Sequence, residues 1–181
     1  SVVDLSLEVR PLTTEDLEAY LDHHRIHRTE SGSEGDPIFT PFDESGVLHG
    51  ARDSRERGWT RSLDEPGWIR SWGAFSHATI IGDVELHGGE IEANRHRASI
   101  GVGVQRPYRG RGLGRTLMET AISWARSEGV AAIDLGVFEG NPGALRLYDS
   151  LGFKPVGTLE DAFRVRGQSI NDIRMVLDLR R

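Results

Sequence analysis

Gln105-Arg106-Pro107-Tyr108-Arg109-Gly110-Arg111-Gly112-Leu113-Gly114-Arg115 gathers four arginines and three glycines, with no acid, in a chain whose formal net charge is −6. A local field so opposed to the global one points to an anion site. The apolar run Ile100 to Val104 precedes it and an amphipathic pattern follows it, so the glycines sit where a strand hands over to a helix. The first turn of a helix offers unpaired backbone N–H groups and a partial positive charge, both suited to phosphate. Glycine lets that backbone approach an anion closely because no Cβ stands in the way.

Downstream, Leu113, Leu117, Ala121, Trp124 and Ala125 form a wide apolar stripe that Gly129 closes as a C-cap. Ala132 to Phe138 is short and apolar enough to be a buried strand. With the strand Arg97 to Val104 it makes a strand-helix-strand unit, which requires a parallel pair and a right-handed crossover. Gly101 and Gly103 alternate late in the earlier strand, a sign of bulging or close backbone approach. Asn141-Pro142 then supplies an N-cap and a proline at the first helical position. Ala144, Leu147, Tyr148 and Leu151 form the buried face of that helix, and Gly152 stops it. Two last strands, within Phe153 to Val165 and Ile170 to Leu179, flank a hairpin turn at Arg166-Gly167-Gln168.

Upstream, Leu5, Leu7 and Val9 alternate with polar residues and predict a first strand from Leu5 to Leu12. Thr13 and Asp16 have capping-box spacing, Leu12 can staple onto Leu17, and Leu17, Tyr20, Leu21 and His24 share one helical face. Pro37, Pro41 and Gly46 break the stretch Thr29 to Asp64, with a short helix expected within Val47 to Leu63. Strands follow from Trp68 to Phe75 and from Ala78 to His87. Trp59, Trp68 and Trp72 are candidates either for an apolar pocket or for core packing.

A length of 181 residues with 37% hydrophobic and 28% charged residues fits a single soluble domain over 1–181. The acidic balance argues against nucleic-acid binding, which needs a basic face rather than one basic loop. The chain has no cysteine, which excludes thiolate chemistry and disulfides. No apolar run approaches the roughly 18 residues of a membrane span, so no membrane partner is expected and the simplest address is cytoplasmic. His23 and His27 stand one turn apart, but His24 replaces the glutamate of an H-E-x-x-H motif. The expectation is therefore no metal, with these residues acting as cations at a helix end.

The chain resembles the GNAT superfamily of acyl-CoA-dependent N-acetyltransferases. Arg109-x-x-Gly112-x-Gly114 matches its Q/R-x-x-G-x-G/A loop. Asn141-Pro142-Gly143-Ala144-Leu145-Arg146-Leu147-Tyr148, followed by Leu151-Gly152-Phe153, matches its second acyl-CoA-side motif. The glycine spacing is wrong for a dinucleotide-binding loop, and no Gly-Lys-Ser/Thr follows for a Walker loop. The resemblance implies an α/β GNAT fold, a mixed and mostly antiparallel sheet with one splayed parallel strand pair flanked by helices. It also implies acetyl-CoA as cosubstrate. The N–H groups of Gly110, Arg111, Gly112, Leu113, Gly114 and Arg115 would cradle the pyrophosphate while Arg109, Arg111 or Arg115 screen its charge. The pantetheine arm would bond backbone groups of Val102 and Val104. Tyr148 would take the general-acid position, and Asn141 would lie near the pantetheine.

Phenol at about 10 against a thiol at about 8.5 makes full proton transfer uphill by about 2 kcal/mol, so a strong hydrogen bond to the departing thiolate is the better description. Many relatives place a glutamate on the strand before the loop as base. Arg97 to Val104 has none, and Ser99 stands where it is expected. Glu85 and Glu139 are the substitutes to test, each also readable as a solvated carboxylate. An α-amino group near 7.7 to 8.0 is about a tenth neutral at pH 7, far more than a lysine amine near 10.4, and so suits an enzyme without a strong base. The expected reaction is direct acetyl transfer to a primary amine of a small molecule, such as a free amino acid. The alternatives are a protein N-terminal α-amine acetyltransferase and a non-catalytic acyl-CoA sensor. A homodimer is compatible with this reading.

Overall fold

The computed structural model describes residues 7–42 and 50–180. Leu5 of the predicted first strand lies outside them; the strand itself is β1, Glu8–Pro11. The Thr13 N–H donates to the Asp16 carboxylate at 2.8 Å, the side-chain half of the predicted capping box. A single 3-10 turn, Thr14–Asp16, precedes α1, Leu17–Glu30. Then come α2 (Ala51–Thr60), β2 (Ile69–Ser76), β3 (Thr79–Gly88), β4 (Arg97–Val104), α3 (Leu113–Ser127), β5 (Ala132–Phe138), α4 (Pro142–Ser150), β6 (Lys154–Val165) and β7 (Gln168–Asp178). The last hairpin is tighter than expected. Arg166 and Gly167 alone have positive φ, 51° and 76°, and Gln168 already belongs to β7.

The strands form one seven-stranded sheet in the order β1-β2-β3-β4-β5-β7-β6. Every neighbour is antiparallel except β4 and β5. On one face, Leu113, Leu117, Met118, Ala121, Ile122 and Ala125 of α3 pack on Val84, Leu86, Ala98, Ile100, Ile133, Leu135 and Val137. This is the apolar stripe read from the sequence, matched to every second strand residue. Trp68 and Trp72 belong to this core, edge-on to Trp124, while the Trp59 indole donates to Ser71 at 2.8 Å. On the opposite face, Leu12, Tyr20, Leu21 and Phe75 join α1 to β1–β3 in a second cluster, and Phe138, Val165 and Ile170 form a third over β5 and β7.

Helices α3 and α4 both end as the glycines predict. Gly129 has φ 80° and the Val130 N–H reaches back to Ala125 O at 3.0 Å; Gly152 has φ 97° and the Phe153 N–H bonds Tyr148 O at 3.1 Å. These six-to-one bonds are Schellman closures. They fix how α4 leaves the sheet and so where Tyr148 stands.

Candidate active site

The parallel pair holds for three residue pairs only, Arg97↔Ala132, Ala98↔Ile133 and Ser99↔Asp134. Beyond them the end of β4 is engaged elsewhere. Gly82 to Asp83 pair with Gly103 to Val104, the Gln105 N–H bonds Ile81 O at 3.0 Å, and Arg109 Nε donates to Val104 O at 2.8 Å. The strands part, and a cavity of about 970 Å³ occupies the gap, lined by Gly101 to Val104, Gly136 to Phe138, Asn141 and Tyr148.

At the open end, Gly110 and Gly112 have φ of 76° and 78°, a region L side chains rarely adopt, and a Cβ on either would meet no atom within 4 Å. The backbone is thus shaped for glycine, with open space in front of it. The Thr116 N–H is the first to close on the helix, bonding Gly112 O at 3.1 Å, which leaves the N–H groups of Leu113, Gly114 and Arg115 as the free donors of the helix start. Of the three arginines expected around an anion, Arg109 alone lines the cavity. Arg111 is exposed, and Arg115 turns outward to Glu119 and Ser150.

Tyr148 and Asn141 line the cavity with Leu113, Ala144 and Leu147, so they sit on its α3–α4 side. Among the described residues the Tyr148 hydroxyl has no hydrogen-bond partner, and burial pushes its pKa up to about 12. Asn141 accepts from the Ala144 N–H at 3.3 Å, the expected cap. Val102 and Val104 line the gap, although the Val104 carbonyl already accepts from Arg109.

The other face is polar. Asp83, Glu85 and His87 alternate along β3, each opposite a small residue of β4: Gly103, Gly101 and Ser99. Glu85 is buried rather than solvated. Its carboxylate accepts from Arg55 at 2.6 and 3.2 Å, Ser71 at 2.7 Å, His87 at 2.7 Å and Tyr20 at 2.9 Å. Burial alone raises a carboxyl pKa, but His87 and Arg55 outweigh it and hold Glu85 far below the usual range. Glu139 does not join the site; it is exposed and accepts from Asn171 at 2.8 Å.

The histidines of α1 do not simply close a helix; two of them reach across to β3. His23 is buried, with Nε2 2.7 Å from Asp83 and Nδ1 3.0 Å from the Gln105 amide, and His24 Nε2 lies 3.1 Å from the other Asp83 oxygen. The donor atoms of His23, His24 and Asp83 lie within 4.8 Å of one another, as a metal site requires, but both ring nitrogens of His23 are committed to hydrogen bonds. His27 stacks on Phe39 and against Gly103. Burial, then the neighbouring His23, pushes its pKa down to about 3.

Residues 31–42 run as a strap over this polar face. Glu30 and Asp36 bind Arg109 at 3.1 and 2.7 Å, Asp36 also binds Arg106 at 2.8 Å, and Ser31 Oγ accepts from the Phe39 N–H at 2.9 Å. Ile38 packs on the Phe138, Val165 and Ile170 cluster, and Pro37, Phe39, Thr40 and Pro41 line the cavity. The sequence reading missed Arg55, Asp83, Asp172 and Arg174. The alternation of Asp83, Glu85 and His87 on one strand face was the available signal for the first of the acids.

A model of the acetyltransferase (GNAT) family matches residues 36–153. Among curated relatives, the N-alpha-acetyltransferase RimI of Mycobacterium tuberculosis is 37% identical over 73 residues, 40% of this chain and 44% of the relative. The mycothiol acetyltransferase of Thermobispora bispora is 48% identical over 116 residues, 56% of this chain and 38% of the relative. The chain spans less than half the length of these relatives. A solved GCN5-related N-acetyltransferase from Kribbella flavida is 28% identical with a TM-score of 0.75, covering 96% of this chain and 98% of that one. A GNAT-family acetyltransferase from Streptococcus pneumoniae, 24% identical, shares the fold with a TM-score of 0.80 over 96% of this chain and 99% of that one. The family model spans both motifs and the parting strands between them, and the chain belongs to the acetyltransferase (GNAT) family.

Proposed function

We propose that this domain transfers the acetyl group of acetyl-CoA to the primary amine of a small molecule, a free amino acid or a related amine, by direct attack. One observation carries the acceptor class: the strap at 31–42, tied to Arg106 and Arg109, lies across the polar face and contributes Pro37, Phe39, Thr40 and Pro41 to the cavity wall. A face covered in this way favours a compact acceptor over a polypeptide.

The N–H groups of Leu113, Gly114 and Arg115 hold the pyrophosphate, and the pantetheine arm runs down the gap beside Val102. The amine nitrogen attacks the thioester carbonyl carbon; the C–N bond forms, the C–S bond breaks, and the sulfur leaves with the electron pair, while the nitrogen gives up its second proton to solvent, which in turn protonates the released thiolate. A phenol near 12 lies about 3.5 units above a thiol near 8.5, so donating its proton outright costs about 5 kcal/mol. Tyr148 therefore stabilises the thiolate by a hydrogen bond. Glu85, held ionised by four partners, is a fixed negative charge rather than a proton acceptor. The amine loses its proton to solvent before attack, which suits an α-amino group, neutral about a tenth of the time at pH 7.

The test is thiol release from acetyl-CoA with a panel of amino acids, small amines and N-terminal peptides. Turnover with small amines and not with peptides is expected. Preference for peptides would transfer the assignment to protein N-terminal α-amines, the reading that similarity to RimI favours. Coenzyme A binding with no turnover across the panel would leave an acyl-CoA sensor.

A further inference from the structure

Extending the parallel register of Ser99↔Asp134 by two residues along each diverging strand sets Gly101 level with Gly136. Both face away from the α3–α4 core, because their neighbours Ile100, Leu135 and Val137 are buried in it. At this level, where the gap opens, neither strand has a side chain on the polar face. Each glycine has a buried acid beside it instead: Glu85 on β3 is paired with Gly101, and Asp172 on β7 lies over Gly136. A Cβ on Gly136 would meet Asp172 Oδ1 at 2.6 Å and Arg174 Nη1 at 2.5 Å, so the glycine keeps room for both.

The two acids differ in what they are bonded to. Glu85 has four partners, most at 2.6 to 2.9 Å. Asp172 is 5% exposed and lines the cavity, yet its carboxylate has a single hydrogen bond among the described residues, from Arg174 at 3.4 Å. Arg174 is itself shared with Asp134 at 3.5 Å, and Asp134 also faces Arg97 at 3.7 Å. A buried carboxylate can accept about four hydrogen bonds and is normally well supplied with donors. The missing donors are on the cavity side.

We propose that Asp172 holds the acceptor's ammonium group, seating its nitrogen over Gly136 beside the thioester. An alkylammonium supplies three N–H donors and one positive charge, the complement of a carboxylate so sparsely bonded. Arg174 reaches only Oδ2 of Asp172, at 3.4 Å, and leaves Oδ1 open over Gly136. The inference rests on the acyl-transfer reading for what the ammonium does next, but the binding site stands on its own geometry.

The experiment is calorimetric titration of n-propylammonium chloride into the purified protein, with and without coenzyme A, for the wild type, Asp172→Asn and Glu139→Gln. Saturable binding is expected in the wild type and in Glu139→Gln, whose carboxylate is exposed, and about tenfold or greater weakening in Asp172→Asn. Gly136→Ala, which keeps the carboxylate but displaces it, should weaken binding likewise and covers the case in which Asp172→Asn does not fold. Absence of saturable binding in the wild type, or wild-type affinity in whichever of Asp172→Asn and Gly136→Ala folds, overturns the proposal. Failure of coenzyme A to bind the wild type would instead overturn the acyl-transfer reading, because the ammonium titration is read without it as well.

Discussion

Tyr148 has a raised pKa and a hydroxyl without a partner, so its part in the chemistry and its part in the fold can be separated. Tyr148→Phe removes the hydroxyl and leaves the ring packed toward Phe153, 6.0 Å away between centroids. Turnover should fall by about two orders of magnitude, the usual cost of one hydrogen-bond donor at a developing anion, with coenzyme A affinity within about twofold. Unaltered kcat would remove Tyr148 from the mechanism. Glu85 is the opposite case, because its four partners make it part of the structure. Glu85→Gln strands the Arg55 guanidinium in a buried site and should lower unfolding free energy by about 3 to 5 kcal/mol in urea denaturation. A loss of under about 1 kcal/mol would mean that the network relaxes without it. None of this could be read from Glu85 alone, since Tyr20, Arg55 and Ser71 lie 65, 30 and 14 positions away along the chain.

At the scale of the element, the unit from β4 through α3 to β5 was legible because its signals are local. The apolar stripe of α3, the glycine turn before it and the short strand after it depend on neighbours within a few positions. The arginines were less legible, since charge in a window does not say which way a side chain points; Arg109 is spent largely on the strap. The turn therefore relies on its backbone, which sharpens one expectation. Gly112→Val places a branched side chain at φ 78° in the space before the first free N–H groups, and coenzyme A binding should become undetectable by calorimetry. Retained affinity would refute the assignment of the turn. Helix α1 shows the converse failure of local reading. His27 falls in its last turn, where sequence favours a cation, yet Phe39 of the strap covers it and burial keeps it neutral.

For the whole molecule, His27 makes the stability depend on pH in a direction that can be stated. Its folded pKa of about 3 lies below the unfolded value of 6.5, so between those limits the unfolded chain binds a proton that the folded chain refuses. Stability from this group is fully present above pH 6.5 and lost as pH falls toward 3, by about 1.4 kcal/mol per unit at most. Glu85, also depressed, adds its own loss only below about pH 4.5. His24 beside Asp83 has a raised pKa and adds stability as pH falls, but that gain is complete by about pH 6.5. Denaturation midpoints measured from pH 6.5 to 5 should therefore decline, and His27→Gln should flatten that decline; an unchanged slope would place the proton elsewhere.

A β-sheet is normally a partition, and what lies on one side of it has no commerce with the other. In this chain the glycines at 101 and 136, level with each other on the diverging strands, open a window in the partition, with Tyr148 on one side and Asp172 on the other. Two reactants that meet through a window share an edge but no floor. High concentrations of amine should accordingly leave the dissociation constant of coenzyme A unchanged in equilibrium titrations, and competition between the two would mean that they enter by one door.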